Sequence, residues 1–72
     1  MSEFPSIRPQ QIIRALKKAG FIFERTKGSY IQMKMGNLLV TIPYHTRFLS
    51  PTTLQSILRQ SRLSIEELKL LL

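Results

Sequence analysis

The hydrophobic residues recur at two different spacings along the chain, and each spacing predicts a different element. Between Gln10 and Ala19 the apolar positions follow the i, i+3, i+4, i+7 spacing of a helix that buries one face. Pro9 suits the first turn of such a helix, and Gly20 suits the position just past its end. The pattern therefore predicts a helix over Gln10–Ala19.

Alternation of apolar and polar residues replaces the helical spacing after this helix. The alternation and the intervening polar residues predict a strand over 21–25, a turn at 26–28, a second strand over 29–35 and a third over 38–43. Gly36-Asn37 is the expected loop of the second hairpin, because a two-residue hairpin loop needs residues that tolerate positive φ.

The register of this second hairpin follows from the length of its loop. A two-residue loop brings together three apolar pairs, which indicates that their face packs on the core: Met35 with Leu38, Met33 with Val40, and Ile31 with Ile42. The same register places Tyr30, opposite Pro43, on the other face together with Gln32 and Lys34. We expect that second face to be open to solvent.

Two capping signals begin the helices of the C-terminal third. Ser50 and Pro51 suit the N-cap and the first helical position, and Ser64 followed by Glu67 has the spacing of a capping box. The order predicts an α+β fold, α-β-β-β-α with a short C-terminal helix, in which a three-stranded antiparallel sheet carries its helices on one face. The terminal Leu70–Leu72 is expected to complete the core, with contact to another chain as the alternative.

Length and composition limit the kinds of function. Residues 1–72 suffice for one small domain, and no cysteine is present for disulfides or thiolate metal sites. One histidine and four carboxylates make a protein metal cage improbable, so we expect neither a metal nor another cofactor. The start of the chain lacks the features of a signal peptide, and no apolar run approaches the roughly 18 residues of a membrane helix. We therefore expect a cytoplasmic protein without a membrane partner.

The charge is strongly positive and changes the expected partner. Eleven Lys and Arg against four Asp and Glu give a formal net charge of +7. A domain this basic usually binds a polyanion, with nucleic acid as the first candidate and an acidic protein or an anionic membrane behind it.

Side chains that suit RNA chemistry are expected to converge at one end of the open face: Lys27, Ser29, Tyr30, His45 and Arg47. If the third strand continues for two residues, His45 projects from the same face as Tyr30, roughly 7–8 Å away. The two basic residues then contact phosphate, Tyr30 stacks on a base and His45 transfers a proton. A lone loop histidine is more often a structural residue, so both interpretations of His45 stay open here.

The chemistry of the two ring types differs. Metal-independent RNA cleavage needs a base for the 2′-hydroxyl and an acid for the leaving 5′-oxygen. Histidine in general titrates at about 6.5 and tyrosine at about 10, so a phenol suits the acid better than the base at neutral pH. Lys27-Gly28-Ser29 adds a turn whose backbone N–H groups are suited to phosphate, although the same tripeptide occurs in ordinary turns.

Several segments resemble, in order and spacing over nearly the whole chain, the HicA (YcfA-like) toxin family: Ala19-Gly20-Phe21, Arg25 with Lys27-Gly28-Ser29, Thr41-Ile42-Pro43-Tyr44-His45, Thr53-Leu54 with Ile57 to Gln60, and Leu63-Ser64 with Glu66-Glu67. The resemblance implies a fold like that of double-stranded-RNA-binding domains. It also implies an mRNA interferase of a type II toxin–antitoxin system that is held inactive by a HicB antitoxin.

The resemblance gives Tyr30 a particular role, because in the family a catalytic histidine follows the Gly-Ser pair. Tyr30 therefore occupies the catalytic position, with His45 as a second catalytic candidate. The expected RNA contacts come from the basic turn and the open face: Arg25, Lys27, Gly28, Ser29, Lys34 and Arg47.

Three explanations of the tyrosine stay open: a natural variant with weakened or lost activity, a substitution introduced so that a toxic protein could be produced, and a site in which Tyr30 and His45 share the work. The alternative function is a basic RNA-binding or antitoxin-docking module without catalysis.

Overall fold

The computed structural model describes residues 6–72 and confirms the predicted order of elements. The elements are α1 (Pro9–Ala19), β1 (Ile22–Lys27), β2 (Tyr30–Met35), β3 (Leu38–Pro43), α2 (Pro51–Ser61) and α3 (Ile65–Leu71). The strands form one antiparallel sheet in the order β1-β2-β3. Because α1 and α2 pack against β3 and α3 packs against α1, one face of the sheet is covered and the other is open.

The predicted bounds of the first strand and its turn were wrong by two residues. The strand continues to Lys27, which pairs with Tyr30, so that Gly28 and Ser29 form a two-residue turn in place of the predicted turn at 26–28. The reason is the backbone of Gly28, whose φ of 60° suits the first position of a tight hairpin turn. A β-bulge interrupts the pairing between Phe23 and Arg25.

The predicted register of the second hairpin is confirmed at every pair from Met35 with Leu38 to Tyr30 with Pro43. The predicted two-residue loop is confirmed, and of its two residues only Gly36 has positive φ. Met35 was predicted to lie in the core but is 37% exposed, because it lies at the loop end of the hairpin.

The core lies between the helices and the covered face of the sheet. Its buried hydrophobic residues come from every helix, from β2 and β3, and from the connecting segments: Ile7, Ile12, Ala15, Leu16, Phe21, Met33, Val40, Ile42, Leu49, Leu54, Ile57 and Leu68. Of the terminal leucines, Leu71 packs against this core, whereas Leu70 is 86% exposed and Leu72 is also exposed. The expectation that this segment completes the core therefore holds for one residue of three.

The predicted helix starts are confirmed by hydrogen bonds. The Ser50 hydroxyl accepts from the Thr53 N–H at 3.2 Å, and Ser64 and Glu67 form a reciprocal capping box. These bonds satisfy backbone donors that a helix start would otherwise leave unpaired. They also place the start of α2 immediately after the segment that carries His45.

Substitution of Gly20 by alanine is expected to destabilise the fold. Gly20 ends α1 at φ 113°, and a Cβ there would lie 2.9 Å from the Met35 sulfur. We expect the free energy of unfolding to fall by about 1–3 kcal/mol, measured by urea titration. Gly36→Ala is the matched control, since Gly36 also has positive φ but its Cβ would meet nothing within 4 Å. An equal loss in both variants would show that the contact with Met35 contributes nothing.

Candidate functional site

The end of the sheet beside the Gly28-Ser29 turn brings two ring side chains together. The Tyr44 N–H donates to the Ser29 carbonyl at 2.9 Å, so the pairing of the second hairpin continues past Pro43. His45 follows, and its ring meets that of Tyr30 edge to face, with 5.8 Å between centroids and 86° between planes. The predicted approach of Tyr30 and His45 on one face of the sheet is confirmed.

Both rings are accessible to a ligand. Tyr30 is 44% exposed, and His45 is also exposed. Lys27, which is exposed, stands opposite Tyr30 across the turn. A phenol, an imidazole and an ammonium group therefore occupy one exposed end of the sheet, beside the backbone of a tight turn.

Two shallow clefts meet at His45. The first, which we call the polar cleft, has a volume of about 460 Å³ and lies between this end of the sheet and α2. Its walls carry Tyr30, His45, Phe48 and a row of hydroxyl and amide side chains from α2. The second, the turn cleft, has a volume of about 470 Å³ and is lined by Thr26, Gly28, Ser29, Ile31, Tyr44 and His45.

The polar cleft was not predicted from the sequence. Its α2 wall consists of Thr53, Ser56 and Gln60, which lie at helical spacing on one side of α2. The Gln60 carbonyl oxygen accepts from the Thr41 N–H at 3.0 Å. Since a backbone N–H only donates, the orientation of this amide is fixed, and its NH₂ group is available as a donor. The spacing of the three polar residues indicates a polar side of α2, but it does not show what that side faces.

The remaining predicted RNA contacts are distributed unevenly. Arg25 and Lys34 share the open face, but they line a separate depression nearer the other end of the sheet, together with Glu24. Arg47 is exposed in the bend after β3 and lines neither the polar cleft nor the turn cleft. The structure thus brings Tyr30 and His45 together and pairs Lys27 with Tyr30, whereas neither Lys27 nor Arg47 lines the two clefts.

Two further features concern metals and membranes. Among residues 6–72, no three His, Cys, Asp or Glu side chains are grouped so that they could hold a metal ion. None of the helices in the same part of the chain is long and apolar enough to cross a membrane.

The chain matches a known family model, described as the HicA toxin of bacterial toxin–antitoxin systems, over residues 9–63. The chain belongs to the HicA toxin family. The matched range begins with α1 and runs through the sheet and α2, so it includes the Tyr30 and His45 end and both clefts. A search of curated protein sequences finds no significant match. HicA membership makes the chain the toxin of a toxin–antitoxin pair, and its partner is an antitoxin.

Proposed function

We propose that this HicA toxin binds mRNA on the open face of its sheet and cleaves it at the Tyr30 and His45 end. The observation that carries the proposal is the edge-to-face contact of the two rings, 5.8 Å apart at an exposed end of the sheet. A base and an acid for RNA cleavage must both reach one phosphodiester, and these two side chains are close enough to do so. The reaction would take place in the cytoplasm, where mRNA is found.

The proposed reaction is an internal transesterification. The His45 imidazole takes the proton of the 2′-hydroxyl, and the 2′-oxygen forms a bond to phosphorus. The bond from phosphorus to the 5′-oxygen breaks, and the Tyr30 O–H donates its proton to that leaving oxygen. The products are a 2′,3′-cyclic phosphate and a 5′-hydroxyl end. Each proton transfer by a positioned side chain contributes about 10²–10⁴-fold to such a rate.

The surrounding residues would position the RNA. Lys27 stands opposite Tyr30, and Gly28 and Ser29 line the turn cleft, where the N–H groups of a tight turn would suit a phosphate. Arg25 and Lys34 extend the positive charge along the same face toward the second hairpin loop. We propose that these contacts hold a single strand across the sheet, and that Arg47 adds a phosphate contact from the bend after β3. A HicB-like antitoxin would block the reaction by covering this face.

The second candidate function is RNA binding or antitoxin docking without catalysis. Tyr30 favours it, because the resemblance to HicA toxins places a catalytic histidine where this chain has a tyrosine. The two functions share the same surface and differ in one observable, the appearance of cleaved RNA. Under the second function, RNA binds with strong salt dependence and stays intact.

Expression in growing cells tests the proposal directly. We expect the wild-type chain to arrest growth and shorten mRNA, and Tyr30→His to increase the cleavage rate by about tenfold or more, because an imidazole titrates nearer neutral pH than a phenol. Growth curves and mRNA integrity are the measurements. Tyr44→His is the matched control, since Tyr44 is similarly exposed at 46% but projects from the other face of the sheet.

The outcome that would overturn the catalytic proposal is intact mRNA with both the wild-type chain and Tyr30→His. If both chains still bind RNA, the second candidate function replaces the first. If Tyr44→His increases cleavage as much as Tyr30→His, the position after the Gly-Ser pair has no special role.

A further inference from the structure

The two edges of the sheet differ in how far other elements cover them. At the β3 edge, α2 packs alongside the strand, and the outward Thr41 N–H is taken up by Gln60 at 3.0 Å. The next residue of β3 whose backbone nitrogen points away from β2 is Pro43, which has no N–H. This edge therefore presents few free donors to another strand.

The β1 edge has no such cover in the part of the chain that the structure describes. Every residue of β1 is exposed, and among residues 6–72 no hydrogen bond reaches its outer side. Lys27 and Tyr30 flank a two-residue turn and exchange both of their backbone bonds, so the N–H and C=O of Thr26 point away from the sheet. An exposed edge of this kind is a template for an additional strand.

An apolar groove lies beside this edge on the helix side of the sheet. It has a volume of about 330 Å³, and its floor and walls include Ile13, Phe23, Ile31 and Tyr44. Phe23 is 54% exposed although it stands opposite the fully buried Met33. A half-exposed aromatic residue above an apolar groove is a ready contact for an apolar side chain of a partner.

Positive charge borders the groove and the edge on both sides. Arg14 and Lys17 of α1 line the groove, and Arg25 and Lys27 of β1 stand opposite open-face residues of β2. A strand added to β1 would place alternate side chains on the two faces, one set over the groove and one set beside these β1 cations. The fitting segment therefore alternates apolar residues with Asp or Glu.

A second copy of this chain does not fit the same edge. Pairing β1 with another β1 would bring its Arg25 and Lys27 against those of the first, and like charges on neighbouring strands are destabilising. The formal net charge of +7 opposes self-association further. The β-bulge between Phe23 and Arg25 also distorts the edge that two copies would have to share.

From these observations we infer that the antitoxin adds a strand to the β1 edge of the toxin, through an extended segment in which apolar and acidic residues alternate. The backbone bonds at Thr26 would supply affinity, and the groove and the flanking cations would select the segment. This edge adjoins the Tyr30 and His45 end, because Thr26 and His45 both line the turn cleft. The inference nevertheless does not require that the chain cleaves RNA.

Amide hydrogen exchange on the toxin with and without its cognate antitoxin, in the absence of RNA, tests the inference. Among residues 6–72 the Thr26 amide has no partner, and we expect its exchange to slow by at least about 100-fold in the complex. Unchanged exchange at Thr26 in a saturated complex would overturn the inference.

Two variants provide an independent test of the same edge. Thr26→Pro removes the outward N–H without removing a hydrogen bond within residues 6–72. We expect it to weaken antitoxin binding by roughly tenfold or more. Thr26→Val is its matched control and should bind as the wild type does. Phe23→Glu places a carboxylate at the groove and should weaken antitoxin binding to a similar extent. This variant keeps the edge testable if Thr26→Pro does not fold.

Three further outcomes would overturn the inference. The first is wild-type affinity of the antitoxin for both folded variants, which would place the antitoxin elsewhere on the toxin. The second is a loss of RNA binding in Thr26→Pro with antitoxin binding intact, which would make the edge a nucleic-acid surface. The third is dimerisation of the free toxin that Thr26→Pro abolishes, as measured by sedimentation.

Discussion

Replacement of His45 by alanine is expected to slow RNA cleavage by about 10²–10⁴-fold, the contribution of one positioned acid or base. His45 is the only histidine of the chain, and its ring contacts that of Tyr30 at the exposed end of the sheet. No other imidazole is available to take the proton of the 2′-hydroxyl. The measurement is single-turnover cleavage of a labelled RNA, with the ends of the products identified.

The binding of RNA should hardly change in the same variant, because the positive charges that hold phosphate are elsewhere. A loss of rate with retained affinity would place His45 in the chemical step and not in RNA positioning. Asn37→Ala, at the far end of the second hairpin, is the control and should leave both quantities unchanged. Cleavage at the wild-type rate by a folded His45→Ala chain would remove His45 from the mechanism.

Tyr30→Phe separates the phenolic proton from the ring. The variant keeps the edge-to-face contact with His45 but has no proton for the leaving oxygen. If the two side chains act as a unit, the double variant should lose little more rate than the worse single variant, since groups that act together are strongly non-additive. Fully additive losses would mean that the two residues act independently.

The fold was largely predictable because its signals are local and agree with one another. Ser50, Ser64 and Gly20 mark helix ends through capping chemistry that the sequence displays directly. The second hairpin was predictable in register because one loop length pairs three apolar residues with three others, and a slip of one residue would expose all of them. The approach of Tyr30 and His45 followed from that register together with pairing that continues past Pro43.

The error at the first hairpin arose because the sequence there offered two equivalent solutions. Thr26 and Lys27 are polar residues beside a glycine, so a three-residue turn and a two-residue turn with a longer strand suit the pattern equally well. The tight turn at Gly28-Ser29 resolves this ambiguity, because it keeps Thr26 opposite Ile31 and Lys27 opposite Tyr30. Local residue preferences carry no information about such a choice between registers.

The polar cleft could not be predicted for a different reason. Its two walls come from the end of the sheet and from α2, and they meet only because α2 packs against β3. Helical spacing places Thr53, Ser56 and Gln60 on one side of α2, but it does not say what that side faces. The partner of Gln60 is the N–H of Thr41, nineteen positions earlier in the chain.

The largest effect on RNA affinity is expected from the removal of four positive charges at once. The variant replaces with glutamine the basic residues proposed to contact RNA: Arg25, Lys27, Lys34 and Arg47. Each phosphate contact to a single strand contributes about −0.7 to the slope of log K against log salt concentration, so four contacts give about −2.8. At about 0.1 M salt, the loss of these four contacts corresponds to an affinity about 600-fold lower. Titration of a labelled RNA measures this affinity.

A control variant of the same net charge separates these contacts from general attraction. It also replaces four basic residues with glutamine, but takes them from the helices: Arg14, Lys17, Arg59 and Lys69. Both variants lower the formal net charge of +7 by four. If RNA were held only by long-range electrostatic attraction, its affinity for both variants would fall equally. If RNA binds to the open face, the affinity of the first variant should depend much less steeply on salt concentration. The control variant should keep the wild-type salt dependence. Equal losses in the two variants would show that RNA is attracted by the charge of the whole domain and not held on the sheet.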